Sequence, residues 1–268
     1  MSLFLKVSLA AVGLYAVLIA LFTFMQGAIL FPRSLVGPSP DLPQSAESMR
    51  IERPDGSILH GNLIPGQDPT KPLILAFGGN AWNADAVALF LHRIAPDHPV
   101  VAFHFRGYAP STGSPSAEAL KTDAVAIHDH VADIAPNGVI ATGFSIGSAL
   151  AAHLATERPI IGAVLVTPFD SLGAVARQSL PWAPVRLLFR HDMNTLDALR
   201  NTATPVALVL AAQDEVIFPE RAEALVAGLS ESDHAIAYLS RIQAGHNDIY
   251  NHPELAPALR DALAAVTD

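Results

Sequence analysis

From residue 47 onwards, short and almost wholly apolar runs alternate with longer stretches of helical periodicity. A strand that is apolar on both faces must be covered on both sides, as in a parallel sheet packed between helices. The pattern predicts an α/β fold with a mostly parallel, eight-stranded sheet and helices on both faces. We expect strands at 49–53, 58–64, 72–77, 99–105, 138–142, 162–166, 205–211 and 235–239, and helices at 84–94, 116–134, 145–156, 219–229 and 253–266.

The amino terminus carries a long stretch without charge. Between Lys6 and Arg33 no residue is charged, and Val7 to Phe31 comprises 25 residues rich in Leu, Ala, Val, Ile and Phe. As a helix, this stretch would be about 37 Å long, enough to cross a bilayer with some tilt. A cleaved signal peptide is the alternative, but its apolar core is shorter, about 7–15 residues. We therefore expect one uncleaved transmembrane helix, a single-pass anchor at residues 1–31.

Residues 32–46 link this anchor to the rest of the chain and include four prolines. Proline stiffens a linker, so we expect an extended tether here. The α/β domain then occupies residues 47–268. Within it, residues 171–200 break the alternation with an apolar segment punctuated by prolines, which predicts a small cap. An ordinary surface helix with a loop is the alternative for these residues.

The composition excludes several classes of protein. The net charge is −9, so a basic surface that binds nucleic acid is not expected. The chain has no cysteine, which rules out disulfides, thiolate metal sites and cysteine nucleophiles. His128 and His130 lie two residues apart on an expected helix and face different directions, so we expect no metal site there. The sequence does not indicate an oligomeric state.

The most specific motif is Gly143-Phe-Ser145-Ile-Gly147, between an expected strand and an expected helix. A Gly-x-Ser-x-Gly turn in this position holds a serine exposed and strained above the sheet. A side chain at either glycine would collide with the strand or the helix. The helix amino terminus adds positive potential beside the serine, which favours a developing negative charge. Ser145 is therefore the candidate nucleophile.

A serine nucleophile needs a base, and the base needs an acid that orients it. His246 lies in a loop between the last strand and the last helix, at the edge where such a sheet places its site. Asp214 lies in the corresponding loop after the strand at 205–211. We expect His246 as base and Asp214 as acid. Asp170, after the strand at 162–166, is the alternative acid, because some hydrolases place it there.

The loop after the strand at 72–77 reads Gly78-Gly-Asn-Ala-Trp-Asn83. Two glycines let the backbone approach a substrate and turn an N–H towards it, although a plain turn has the same composition. We expect the backbone amides of Asn80 and Ile146 to form an oxyanion hole. The residues expected around the substrate are Gly79, Trp82, Phe144 and Trp182.

These segments resemble the α/β-hydrolase superfamily, and more closely its single-pass, membrane-anchored branch of serine hydrolases, which includes protein depalmitoylases. The segments that carry the resemblance are 77–83, 105–115, 143–147, 167–172, 214–219 and 245–248. It implies an α/β-hydrolase fold, with Ser145, Asp214 and His246 as nucleophile, acid and base. Arg106-Gly107-Tyr108 matches a structural turn of the family. The chain has Gly78 where the family usually has a histidine that braces the oxyanion loop, and Trp82 where the family usually has glycine.

The sequence thus predicts hydrolysis of an ester or thioester through an acyl-enzyme, without metal or cofactor, on a lipid-like or acylated substrate near the membrane. An amidase or peptidase on the same residues is one alternative. A catalytically silent, membrane-tethered binding scaffold is another, favoured by Gly78 alone. A single amino-terminal span before a large domain commonly leaves that domain outside the cytoplasm, so we expect the domain on the non-cytoplasmic side.

Overall fold

One sheet of eight strands runs through the residues that the structure, a computed structural model, describes, which are 2–232 and 234–267. The strands are β1 (Glu47–Glu52), β2 (Ile58–Ile64), β3 (Leu73–Phe77), β4 (Val100–Phe103), β5 (Val139–Phe144), β6 (Gly162–Val166), β7 (Val206–Ala211) and β8 (Ile236–Ile242). Their order in the sheet is β1-β2-β4-β3-β5-β6-β7-β8. β2 pairs antiparallel with β1 and β4, and the other pairs are parallel.

Helices cover both faces of this sheet. They are α1 (Leu3–Leu30), α2 (Ala84–Ile94), α3 (Ala117–Val131), α4 (Ile146–Glu157), α5 (Leu172–Ser179), α6 (Val185–Leu188), α7 (Thr195–Leu199), α8 (Pro219–Glu231) and α9 (Leu255–Ala265). One apolar cluster joins α3, α4 and α8 to the sheet, and a second joins α2 and α9 to its opposite face. The predicted α/β-hydrolase architecture, an eight-stranded and mostly parallel sheet between two layers of helices, is confirmed.

Among the boundaries that differ from the sequence prediction, three have a clear physical reason. β5 continues to Phe144, because Gly143 and Phe144 still pair with β3 and β6 on either side. α4 therefore begins at Ile146 rather than Ser145. β8 continues through Ser240 and Arg241 to Ile242. It is an edge strand that pairs with β7 alone. Such a strand tolerates polar residues, so it continues past the end of the apolar run in the sequence.

The cap predicted at 171–200 contains α5, α6 and α7, and a backbone bridge between Ser171 and Asn194 closes its base. From Tyr15 onwards, α1 packs on this cap. Tyr15 Oη donates a hydrogen bond to the backbone oxygen of Trp182 at 3.1 Å. The ring of Phe31 meets the ring of His191 edge-on, with centroids 5.4 Å apart. α1 is long and apolar enough to cross a membrane, and part of it is also a packing partner of the cap.

Residues 32–46 lie against the domain rather than away from it. They begin with a 3₁₀ turn at Arg33–Leu35. The side-chain amide of Asn83 then donates to the backbone oxygen of Gly37 at 3.1 Å and to Ser39 Oγ at 3.2 Å. Leu42 packs on the cluster beneath α2 and α9. The predicted tether is therefore part of the packed structure that surrounds α2.

A buried ion pair fixes the turn after β4. Arg106 donates from Nε and Nη2 to the two carboxylate oxygens of Asp123 in α3, at 2.9 and 2.6 Å. Arg53, the residue after β1, donates to Asp123 Oδ1 at 2.9 Å. Such a paired geometry offsets the cost of burying charge. It holds the segment that carries Tyr108 at the carboxyl edge of the sheet.

Candidate active site

Ser145 occupies a tight turn between β5 and α4. Its φ of 52° and ψ of −119° lie in a region that L-residues seldom adopt. A Cβ at Gly143 would fall on the carbonyl oxygen of Gly147, and a Cβ at Gly147 would fall on the carbonyl oxygens of Phe77 and Gly78. Both flanking positions therefore require glycine. The strained turn lifts the Ser145 hydroxyl off the end of the strand and leaves it accessible.

The structure brings Ser145, His246 and Asp214 into one hydrogen-bonded row. His246 Nε2 lies 3.0 Å from Ser145 Oγ, and His246 Nδ1 lies 2.7 Å from Asp214 Oδ2. A carboxylate only accepts, so Nδ1–H donates to Asp214 and Nε2 is free to accept the serine proton. Asp214 and His246 are both buried. This is the arrangement in which an imidazole acts as a base towards a serine.

Asp214 rather than Asp170 contacts the histidine. Asp214 Oδ1 accepts the backbone N–H groups of Val216 and Ile217 at 2.9 and 2.7 Å, which fixes the carboxylate in its loop. Asp170 instead accepts a hydrogen bond from Arg221 at 3.1 Å. The alternative acid is therefore engaged elsewhere.

Glu215, next to the acid, holds the histidine loop from the other side. Its Oε2 accepts the backbone N–H of His246 at 3.0 Å, and this hydrogen bond lowers the pKa of Glu215. The ionised carboxylate therefore fixes the backbone of His246, while Asp214 fixes its ring.

The two expected oxyanion donors flank the serine. Ile146 is the first residue of α4 and directly follows Ser145, while the Asn80 loop passes next to it, so that a Cβ at Gly79 would lie 3.8 Å from Ser145 Cβ. Among the hydrogen bonds of residues 2–232 and 234–267, none uses the N–H of Asn80 or Ile146. Two unpaired N–H groups beside a nucleophile are able to stabilise a developing oxyanion.

Tyr108 braces the loop that carries Asn80. Its hydroxyl donates to the backbone oxygen of Asn80 at 2.8 Å. Burial raises the pKa of Tyr108, so the hydroxyl keeps its proton at neutral pH. At Gly78, where the family usually has a histidine, a Cβ would lie 3.0 Å from Val87 Cγ2. The loop thus has a brace from the turn after β4, although the sequence suggested that this turn is purely structural.

Asn83 braces the other end of the loop. It caps α2 by accepting the N–H of Asp85 at 2.9 Å, while its amide holds Gly37 and Ser39 of the preceding segment. Burial raises the pKa of Asp85, but hydrogen bonds from His104, Ser39 and Asn62 outweigh this effect. They lower the pKa of Asp85 to about 2. His104 contacts Asp85 at 3.2 Å and is a packed, structural histidine. Residues 37–39 thus support the oxyanion loop.

A cavity of about 640 Å³ opens beside Ser145. This volume suits a drug-sized or acyl ligand. Trp82 forms one wall, with its ring centroid 5.3 Å from that of Phe90 and 4.8 Å from that of Tyr250. The lining residues are Gly79, Asn80, Ala81, Trp82, Phe90, Ser145, Val216, His246, Asn247, Tyr250 and Asn251. An aromatic wall next to a nucleophile suits an apolar acyl group.

Of the residues expected around the substrate, Gly79 and Trp82 line this cavity, and two do not. Phe144 is fully buried behind Trp82, with ring centroids 5.2 Å apart, because it is still part of the sheet. Trp182 is absent from the lining of this cavity and lies beside α1 instead. The expectation failed for Trp182 because this part of the cap packs against α1.

The sequence missed three residues that shape the site. Phe90 and Tyr250 line the cavity, and Tyr108 braces the loop. Burial raises the pKa of Tyr250 to about 12, and its hydroxyl lies 3.2 Å from Thr167 Oγ1. Tyr250 follows His246 by four residues, a proximity that offered a weak signal. Within residues 2–232 and 234–267, no cluster of three His, Asp or Glu side chains has the arrangement of a metal site.

Several known proteins are similar to this chain in sequence. The uncharacterized protein Rv2307c of Mycobacterium tuberculosis is 29% identical over 260 residues, which cover 93% of this chain and 88% of that protein. Lysophosphatidylserine lipase ABHD12 of Danio rerio is 27% identical over 227 residues, which cover 73% of this chain and 59% of the lipase. The chain is thus similar to these proteins over most of its own length.

Solved structures share the fold at lower identity. An esterase of Pyrococcus furiosus, PF2001, matches with a TM-score of 0.67 at 18% identity, over 87% of this chain and 97% of the esterase. A hydrolase from Pseudomonas aeruginosa PA01 matches with a TM-score of 0.61 at 19% identity, over 81% of this chain and 98% of that structure. The model of the alpha/beta hydrolase family matches residues 58–266, from β2 to the end of α9. The chain therefore belongs to the alpha/beta hydrolase family.

Proposed function

We propose that this protein is a serine hydrolase that cleaves an ester or thioester through an acyl-enzyme. The observation that carries the proposal is the continuous row from Ser145 Oγ to His246 to Asp214, with separations of 3.0 and 2.7 Å. The row stands at the mouth of a cavity large enough for an acyl group. Hydrolases of this family supply the precedent for the chemistry but do not specify the substrate.

In the first step, His246 Nε2 takes the proton of Ser145 as Oγ attacks the acyl carbonyl carbon. The carbonyl oxygen becomes an oxyanion, which the N–H groups of Asn80 and Ile146 stabilise, an effect worth about 3–4 kcal/mol per donor in known cases. Asp214 stabilises the imidazolium that forms. The proton then passes from His246 to the leaving alcohol or thiol, and the acyl group remains on Ser145. Water, deprotonated by His246, releases the acid and restores the serine.

The aromatic wall and α1 together favour a lipid-like or acylated substrate. Trp82, Phe90 and Tyr250 form an apolar surface beside the nucleophile. Val36 and Trp82 line the same small void, and Val36 follows the buried Phe31 by only five residues. Because five residues span at most about 18 Å, the site lies close to the end of α1. One relative is named as a lysophosphatidylserine lipase, which is consistent with a lipid-like substrate here.

The anchor and its orientation belong to the same proposal. We place α1 across a membrane with the domain on the non-cytoplasmic side, as a single amino-terminal span commonly does. Because the chain lacks cysteine, a cysteine introduced at exposed Ser230 on α8 reports the side directly. We expect a membrane-impermeant maleimide to label Ser230→Cys in intact spheroplasts, and to label Ser2→Cys only after lysis. The reverse pattern would place the domain in the cytoplasm.

Labelling by a fluorophosphonate probe tests the nucleophile. Wild-type protein in detergent micelles should be labelled, because the row activates Ser145, and Ser145→Ala should lose all labelling. Ser230→Ala, an exposed serine outside the site, serves as the matched control and should be labelled like the wild type. Folded wild-type protein that resists the probe would support a silent scaffold instead.

Chain length tests the substrate class. We expect kcat/KM for p-nitrophenyl esters to rise from acetyl to long acyl groups, because a longer chain buries more apolar surface against Trp82 and Phe90. Trp82→Ala should reduce this preference by removing part of the wall, while leaving the acetyl ester less affected. A preference for acetyl esters, or faster cleavage of matched amides than of esters, contradicts the proposed substrate.

Removal of the Tyr108 hydroxyl tests the brace on the oxyanion loop. Tyr108→Phe should lower kcat by about 2–13-fold, which corresponds to the loss of one hydrogen bond worth about 0.5–1.5 kcal/mol, with little change in KM. The rate of fluorophosphonate labelling should fall in parallel, because that reaction uses the same N–H donors. Tyr238→Phe on the edge strand β8 is the control and should leave both rates unchanged. An unchanged kcat in Tyr108→Phe would show that the loop does not depend on this hydroxyl.

A further inference from the structure

α1 and the cap are joined at two points along the helix. Tyr15 Oη donates to the backbone oxygen of Trp182 at 3.1 Å. Gln26 donates to the backbone oxygen of Leu188 at 2.8 Å, and its side-chain oxygen accepts the N–H of Arg190 at 2.9 Å. Gln26 is only 3% exposed. Tyr15 and Gln26 are separated by 11 positions in the chain, so the contact extends about 16 Å along the helix.

The position of this contact fixes the depth of the cap once α1 crosses a bilayer. A crossing helix needs about 20 residues to span about 30 Å of hydrocarbon. From Leu3 to Tyr15, α1 rises only about 18 Å, which is too short to cross. Even when Leu3 lies at the hydrocarbon boundary farther from the domain, the boundary nearer the domain falls around Phe22. Tyr15 and its partner Trp182 then lie about 10 Å inside the hydrocarbon.

The residues of the cap that contact α1 are suited to that depth. From Gln178 to Val185 no residue is charged. Trp182 is 44% exposed and Leu187 is 84% exposed, so large apolar side chains point away from the protein. On the carboxyl side of this stretch, the nearest charged residues are Arg186 and Arg190. They lie near the depth of Gln26 on α1, whose side-chain oxygen accepts the backbone N–H of Arg190. Long arginine side chains reach headgroup phosphates from just below the boundary.

Most backbone N–H groups of the segment meet the requirement of an apolar solvent. Hydrocarbon offers no hydrogen-bond partner, so the backbone must be paired within the protein. In Leu180–Phe189, two residues are prolines without an N–H. Of the other eight N–H groups, all but those of Trp182 and Arg186 donate to backbone oxygens, namely those of Leu180, Ala183, Val185, Leu187, Leu188 and Phe189. α1 itself pairs the oxygens of Trp182 and Leu188.

We infer that the segment Leu180–Phe189 is embedded in the leaflet of the membrane nearest the domain, alongside α1, with the acyl chains of phospholipids as its partner. The inference rests on the proposed crossing of α1 and is independent of the chemistry at Ser145. Trp182 lies deepest, beside Tyr15, and the segment rises towards the headgroups at Arg190. The domain is thereby held against the bilayer by two elements, α1 and the cap.

Tryptophan fluorescence measures this depth, because the chain contains two tryptophans, Trp82 and Trp182. Trp82→Phe leaves Trp182 as the sole reporter in full-length protein reconstituted in phosphatidylcholine vesicles. We expect lipids brominated in the middle of the acyl chain to quench a large part of the Trp182 emission. The matched control carries Trp82→Phe, Trp182→Phe and Ile134→Trp. Ile134 is 45% exposed, like Trp182, but follows the carboxyl end of α3, and its reporter should not be quenched.

A third reporter, Val12→Trp in the same tryptophan-free background, separates the inference from its premise. If Val12→Trp is quenched and Trp182 is not, α1 enters the bilayer while the cap stays outside, and the inference is overturned. If neither is quenched, the crossing of α1 fails and the inference fails with it. Fluorophosphonate labelling of the same vesicles reports the proposed hydrolase activity separately from either result.

Discussion

The close approach of three backbone segments around Gly143 and Gly147 is the constraint on which the site depends. Gly147 lies so near the carbonyl oxygens of Phe77 and Gly78 that no side chain fits, and Gly143 lies equally near Gly147. This contact brings the end of β3, the end of β5 and the start of α4 together at one point. It sets the positive φ of Ser145 and places the Asn80 loop beside the Ile146 N–H. The histidine and aspartate loops then need only reach this point from the ends of β8 and β7.

The supports of the oxyanion loop connect the site to the amino-terminal segment. Tyr108 holds the Asn80 carbonyl, and Asn83 holds Gly37 and Ser39, a few residues beyond α1. The chain therefore replaces the histidine that the family usually carries at Gly78 with braces from two other directions. One brace depends on the buried pair of Arg106 and Asp123, and the other on the segment between α1 and the domain. α1 and the site are thus parts of one packed structure.

The sequence predicted the sheet, its helices and the meeting of Ser145, Asp214 and His246, because each signal is local: an apolar run, a required glycine, or a loop at a strand end. It also favoured Asp214 over Asp170 as the acid from its position after the strand at 205–211, and the structure has Asp214 against His246. It also missed Tyr108 and Tyr250, whose roles arise only when distant segments meet. Trp182 was misplaced for the same reason, since the direction in which the cap packs depends on α1.

The proposed hydrolysis proceeds through an acyl-enzyme on Ser145, so trapping this intermediate tests the mechanism directly. Wild-type protein turning over a long-chain p-nitrophenyl ester would be quenched in acid, digested and mapped by mass spectrometry. We predict the mass of the acyl group on the peptide that contains Ser145, localised to that side chain. Ester hydrolysis without any adduct at Ser145, or with the adduct on another residue, would contradict it.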